Sequence, residues 1–171
     1  MEPDFTIVTN CAERGPEIAA IVRQAFARQY GSGDGEVALI AQLRAAGDVA
    51  VELAAVDGEE VVGHVLFSKL AADPATVNVA ALAPVTARVD RQKSGIGSAL
   101  IREGLARCKA LGFDVITVLG DPDYYGRFGF SPETARGFDC AFSGPHFQAL
   151  ALRDLPSGRW KLTYPVAFEG V

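Results

Sequence analysis

The stretch that most confines this chain lies between residues 77 and 119. An apolar run, 77–89, leads into Gln92-Lys93-Ser94-Gly95-Ile96-Gly97-Ser98-Ala99-Leu100. That segment opens an amphipathic run to 111, and a short apolar run follows at 114–119. The pattern reads strand, glycine turn, helix, strand. In the helix, Ile96, Leu100, Ile101, Leu105, Cys108 and Leu111 form one apolar stripe. Arg102, Glu103, Arg107 and Lys109 face away from it, and Glu103 sits four residues before Arg107, a favourable charge pair. Gly112 is placed to end the helix. Pro84 inside the preceding run marks an edge, a bulge or a break in pairing.

The flanking segments fill out an α/β pattern. Residues 5–9 alternate like a first strand, and 17–30 carry Ile18, Ile21, Val22, Ala25 and Phe26 at helical spacing. After a glycine-rich break at 31–35, Asp34 is expected to cap a second helix with a Val37, Ile40, Leu43 stripe, ended by Gly47. Strands at 49–56 and 61–70 flank an Asp57-Gly58 hairpin signal. Beyond 119, Gly120-Asp121-Pro122 breaks the strand and starts a short helix with Pro122 in its first turn. Residues 128–130 are expected to lead into another strand, with further short strands at 138–142, 147–152 and 160–168. The expected architecture is one domain over 1–171, an α/β fold with a mixed, mostly antiparallel sheet flanked by helices.

Composition excludes several function classes. Net charge is -5 with no basic run, so nucleic acid is not an expected partner. Cys11, Cys108 and Cys140 show no C-x-x-C spacing, so neither a disulfide framework nor a metal site is expected, and a cytoplasmic protein fits best. Met1-Glu2-Pro3-Asp4 is acidic where a signal peptide is basic, and no apolar run is long enough for a membrane span.

The glycine turn permits four readings. A Rossmann fingerprint needs a third glycine where Leu100 stands, and a Walker loop needs a Gly-Lys-Ser/Thr ending that is missing. A ligand-free turn and a Q-x-x-G-x-G anion loop both stay open on this stretch alone: two glycines let backbone approach an anion, and the first N–H groups of the helix point at it. One strand later comes Asp121-Pro122-Asp123-Tyr124-Tyr125-Gly126-Arg127-Phe128-Gly129-Phe130. Phe128 and Phe130 read as core. Of two adjacent tyrosines only one easily faces inward, so at least one hydroxyl reaches a polar site or solvent.

Together, Leu82-Ala83-Pro84, Gln92 to Gly97, Val118 to Pro122 and Tyr124 to Phe130 resemble the GNAT superfamily of N-acetyltransferases. The nearest likeness is to the bacterial branch with a Tyr-Tyr-x-Arg-Phe-Gly-Phe ending. The chain departs from the family pattern at Lys93, where glycine is usual, and at Val89, where proline is common. The resemblance implies acetyl-CoA as cosubstrate and an amine as acceptor. It implies that backbone groups at Ala87 and Val89 bind the pantetheine arm, that an N–H near Ala87 or Arg88 polarises the thioester, and that donors on Lys93, Ser94, Gly95, Ile96, Gly97 and Ser98, behind Gln92, hold the pyrophosphate. Tyr125, four residues before Gly129, would protonate or hydrogen-bond the departing thiolate; Tyr124 is expected to pack. The relatives' carboxylate base is missing from 77–82, leaving His64, Asp121 and Glu133 as candidates, with a water chain or an already deprotonated amine as the alternative; His146, beside Pro145, is expected to be a loop residue. A homodimer is common in the family. A non-catalytic acyl-CoA-binding or sensing module is the alternative to an enzyme. Segments 30–36 and those after 131 are expected to set acceptor specificity.

Overall fold

The computed structural model describes residues 4–170. The chain opens with β1 (Thr6–Val8), α1 (Gly15–Tyr30) and α2 (Asp34–Ala46). The hairpin β2 (Val49–Asp57) and β3 (Glu60–Asp73) turns at Gly58, which takes φ 63°, as the Asp-Gly signal requires. Then come β4 (Val79–Ala87), α3 (Ile96–Ala110), β5 (Val115–Leu119), α4 (Pro122–Tyr125) and α5 (Pro132–Ala135). The chain finishes with β6 (Phe138–Asp139), β7 (Phe147–Ala151), β8 (Trp160–Thr163) and a 3-10 turn, Val166–Gly170.

The main sheet runs β1-β2-β3-β4-β5-β7. Every neighbouring pair along that path is antiparallel except β4–β5. The tail of β3 pairs with β8, which pairs in parallel with β6. The expected mixed, mostly antiparallel sheet is the one found. Two cores sandwich it because successive strand residues point to opposite faces. Leu53, Val65 and Phe67 meet Ile96, Leu100, Ile101 and Cys108 of α3 on one side. Ala54, Val56 and Leu66 meet Ile18, Val22, Leu39, Ile40 and Leu43 of α1 and α2 on the other. Each fully buried Leu or Ile contributes roughly 1.5–3 kcal/mol. Gly104 lets α3 lie close to the sheet: a Cβ there would stand 2.2 Å from Cε2 of Phe67.

Several expectations are corrected. Leu111, placed on the α3 stripe by spacing, is 64% exposed, because the helix ends before it. Gly33, not Asp34, is the N-cap of α2; Asp34 begins the helix and pairs with Arg23 at 2.9 Å. Phe130 does not lead into a strand. Ser131 makes a single bridge to Ala149 and then caps α5, its hydroxyl accepting from the Thr134 N–H, with Pro132 in the first turn. The strand expected over 138–142 is only β6. The strand expected over 160–168 stops at Thr163, since Pro165 has no N–H to continue a ladder and a 3-10 turn follows.

Candidate active site

β4 and β5 share only three paired positions, ending at Ala81 with Thr117. Beyond them the strands part, β4 running on to Ala87 and β5 stopping at Leu119. A bulge accompanies the parting: between Val65 and Phe67 of β3, β4 accommodates an extra residue at Ala83-Pro84. Pro84 can sit there because it has no N–H to offer the ladder. The fork opens a cleft of about 740 Å³ lined by β4 residues 81–85, β5, the 120–125 segment, Gln92, and side chains from α1, α2 and the C-terminal segment.

The free edge of β4 supplies one wall. The Arg88 N–H donates to the Val62 carbonyl at 2.9 Å, and Ala87 stands opposite Gly63. In an antiparallel ladder hydrogen-bonded and non-bonded pairs alternate. Ala87 and Val85 therefore turn their N–H and C=O away from β3, toward the fork. Arg88 spends its N–H inside the sheet, so of the two residues expected to offer an N–H, the free one is on Ala87. Val89 has left the strand and opens a 3-10 turn, Val89–Arg91. The Arg88 side chain is paired with Asp90 at 2.7 Å and Glu60 at 3.3 Å.

The glycine turn follows. Lys93 takes φ 64° and Gly95 φ 88°, both left-handed, and the Ser94 hydroxyl donates to the Arg91 carbonyl. Left-handed residues next to right-handed ones turn successive N–H groups to one concave side, a geometry that binds anions. The first intrahelical bond of α3 is from Ala99 N–H to the Gly95 carbonyl, at 3.0 Å. The N–H groups of Ile96, Gly97 and Ser98 thus have no acceptor within the helix. Gln92 lines the cleft beside them.

The tyrosine segment docks on this turn. Asp121 caps α4, its carboxylate accepting from the Asp123 N–H at 2.9 Å. The Tyr124 hydroxyl lies 3.4 Å from where a Cβ on Gly97 would be, and Arg127 donates to the Ser98 hydroxyl at 3.1 Å. Tyr124, expected only to pack, lines the cleft as well as touching Phe128. Tyr125 also lines the cleft and lies edge-on to Tyr124 and Phe130, with centroids 4.9 and 5.9 Å away. Burial, with smaller repulsion from Tyr124 and Tyr30, pushes its phenol up to about 12.

Of the candidate bases, His64 is removed. It is fully buried and does not line the cleft, its Nε2 2.7 Å from Glu52, which also takes a bidentate contact from Arg44 at 3.0 and 2.5 Å. Burial pushes its imidazole below the usual range. Glu133 lies in α5 and His146 is exposed; neither lines the cleft, and His146 gives it only a carbonyl that holds the Gly120 N–H at 3.0 Å. Asp121 does line it. Glu36, Phe142, Tyr164 and Phe168, all of which line the cleft, fall within the segments expected to set acceptor specificity, though sequence reasoning named none of the four aside from Glu36 as a segment end; Phe26, also on the cleft, was read only as part of the α1 stripe. The signal for those segments was that the family resemblance is thinnest there.

Comparison with known proteins agrees with this geometry. The profile of the acetyltransferase (GNAT) family matches residues 16–130. The chain is 30% identical over 142 residues to N-acetyltransferase YhbS of Escherichia coli, covering 81% of this chain and 82% of that one. The crystal structure of the GNAT family N-acetyltransferase YhbS from Escherichia coli in complex with CoA superposes with a TM-score of 0.85 at 26% identity, over 99% of this chain and 94% of that one. A GNAT family acetyltransferase from Brucella melitensis in complex with acetyl-CoA superposes with a TM-score of 0.80 at 33% identity, over 96% and 97%. A family profile matched over 16–130 and a relative 30% identical along most of both chains make this protein, with its forked sheet, glycine turn and tyrosine segment, a member of the GNAT family of N-acetyltransferases.

Proposed function

We propose that the protein transfers the acetyl group of acetyl-CoA to a primary amine by direct attack within a ternary complex. The observation that carries this is the convergence on one cleft of β4 residues 81–85, Gln92 at the head of the glycine turn, and Tyr125. Relatives of this fold are known in complex with CoA and acetyl-CoA. Val85 and Ala87 receive the pantetheine arm as an added strand, and their free N–H groups are placed to polarise the thioester carbonyl. The donors from Lys93 to Ser98 hold the pyrophosphate through backbone, which needs no basic surface. The amine nitrogen bonds to the carbonyl carbon as the C–S bond breaks. Tyr125 gives its proton to the sulfur, the amine loses one to solvent, and solvent restores the phenol. Holding both reactants supplies much of the acceleration.

A phenol near 12 is a poor acid toward a free thiolate near 8.5. Burial raises thiols too: Cys108 is pushed up to about 12. A thiolate leaving into the same low-dielectric cleft is matched to Tyr125 rather than to water. The test is thiol release from acetyl-CoA against amine pools with the wild type and Tyr125→Phe. The variant should lose about 10²–10⁴-fold in kcat with acetyl-CoA affinity retained. An unchanged kcat removes Tyr125 from the role, and tight acetyl-CoA binding with no release to any amine replaces the enzyme by a binding module.

A further inference from the structure

The cleft has a second half that the cofactor arm does not need, and its chemistry is specific. Phe26 and Tyr30 of α1 stack there with centroids 5.9 Å apart. Phe142, Tyr164 and Phe168 pack edge to face, with Tyr164 4.8 Å from Phe142 and 5.2 Å from Phe168. The Tyr164 hydroxyl is tied to Thr117 Oγ1 at 2.8 Å, at the last rung before the strands part, which fixes this wall against the fork. All five rings line the cleft.

The charges are one-sided. Among the described lining residues there is no Lys, Arg or His, and the two acids are Glu36 and Asp121. Asp121 is occupied in capping α4. Glu36 shares the first turn of α2 with Asp34. Asp34 is exposed and paired with Arg23, whereas Glu36 is half-buried, lines the cleft and makes no ion pair among the described residues. Aromatic faces and an unpaired carboxylate attract a cation on an apolar body, and they repel an anion.

Resting on the acetyl-transfer reading above, we infer that the acceptor is a primary amine on an aromatic or bulky apolar body with no carboxylate of its own, and that Glu36 selects it. The rings take the body, and Glu36 draws in the ammonium form before it loses its proton. An amino acid of the same shape is disfavoured, because its α-carboxylate would enter a cleft holding Glu36 and no cation.

The experiment compares phenethylamine, phenylalanine, ethylamine and a lysine-containing peptide by thiol release at saturating acetyl-CoA. Calorimetric binding of phenethylamine and phenylalanine to the CoA-loaded protein is measured alongside. Phenethylamine should exceed both phenylalanine and ethylamine by about 10²-fold in kcat/KM. Glu36→Gln should raise KM for phenethylamine about 10-fold and shrink its advantage over phenylalanine, with acetyl-CoA binding unchanged. Phenylalanine or the peptide equalling phenethylamine, or Glu36→Gln leaving the ratio intact, overturns the inference. Absence of release from every amine, with phenethylamine still bound more tightly than phenylalanine and Glu36→Gln removing the difference, defeats the transfer reading and keeps the pocket's selectivity. Equal or absent binding of the two defeats the selectivity.

Discussion

Gly120→Ala tests whether the position of Tyr125, and not merely its presence, matters. A Cβ at Gly120 would stand 2.6 Å from Cε2 and 3.1 Å from Cδ2 of the Tyr125 ring. Ordinary carbon contacts are about 3.5–4.0 Å, so roughly 1 Å must be found. The backbone cannot give it. The Gly120 N–H is held by the His146 carbonyl at 3.0 Å, and its own carbonyl accepts from Nε2 of the buried Gln148 at 3.0 Å. Gly120 is not among the glycines with positive φ, so alanine adds no backbone strain and the whole cost falls on the ring. The ring is bounded by Tyr124 and Phe130 and shifts as a unit with them. Displacing a positioned proton donor by about 1 Å costs about 10²-fold in rate. Overpacking costs about 1–3 kcal/mol in stability. The assay is kcat for thiol release, with KM for acetyl-CoA and Tm measured alongside. The control is Gly126→Ala, next to the same tyrosine, where a Cβ meets nothing within 4 Å. That control should keep kcat within about twofold. A Gly120→Ala enzyme with a lowered Tm and an unchanged kcat would refute the idea that the turn positions Tyr125 for the reaction.

Because Tyr125 is raised to about 12, it stays a proton donor through neutral and mildly alkaline pH. The pH profile of kcat/KM should rise as the amine deprotonates and show no fall below about pH 11; a fall near pH 9–10 that vanishes in Tyr125→Phe would contradict this. Burial alone would raise the Glu52 carboxyl, but hydrogen bonds from His64 and Arg44 outweigh it and bring it down from 4.5 to about 2. Its folded value lies below its unfolded one, so the stability it lends is present above about pH 4.5 and is lost as pH falls toward 2, about 3 kcal/mol in all. Urea unfolding across that window should show the loss in the wild type and a flatter curve in Glu52→Gln; parallel curves would count against it. Gly104→Ala should destabilise by about 1–3 kcal/mol by urea titration despite a gain of about 1 kcal/mol in helix propensity, because the new methyl meets Phe67; a rise in Tm would show that α3 simply moves away.

What the sequence determined by itself is what short-range chemistry dictates. Periodicity marked α1, α2 and α3, Asp57-Gly58 set the hairpin, and Pro84 announced an irregular β4. The glycine turn and the tyrosine segment stood out because their residues act together within a few positions. The start of α5 was also legible: Ser131-Pro132-Glu133-Thr134 is a cap followed by a first-turn proline, and reading it as a strand entry overlooked that signal. The shortened last strand was legible in Pro165 for the same reason.

Only the tertiary structure decided which far-apart side chains meet. His64 looked available as a base because it lies on the strand before the one that lacks the relatives' carboxylate. It is sealed by Glu52 from the adjacent strand and Arg44 from a helix, partners that no local pattern reveals. Glu36 ends a segment expected to touch the acceptor, but no local pattern shows that it shares a cleft wall with Phe142 and Tyr164, more than a hundred positions away. Periodicity tells which face a residue shows. It does not tell which residue from the other end of the chain will be there to meet it.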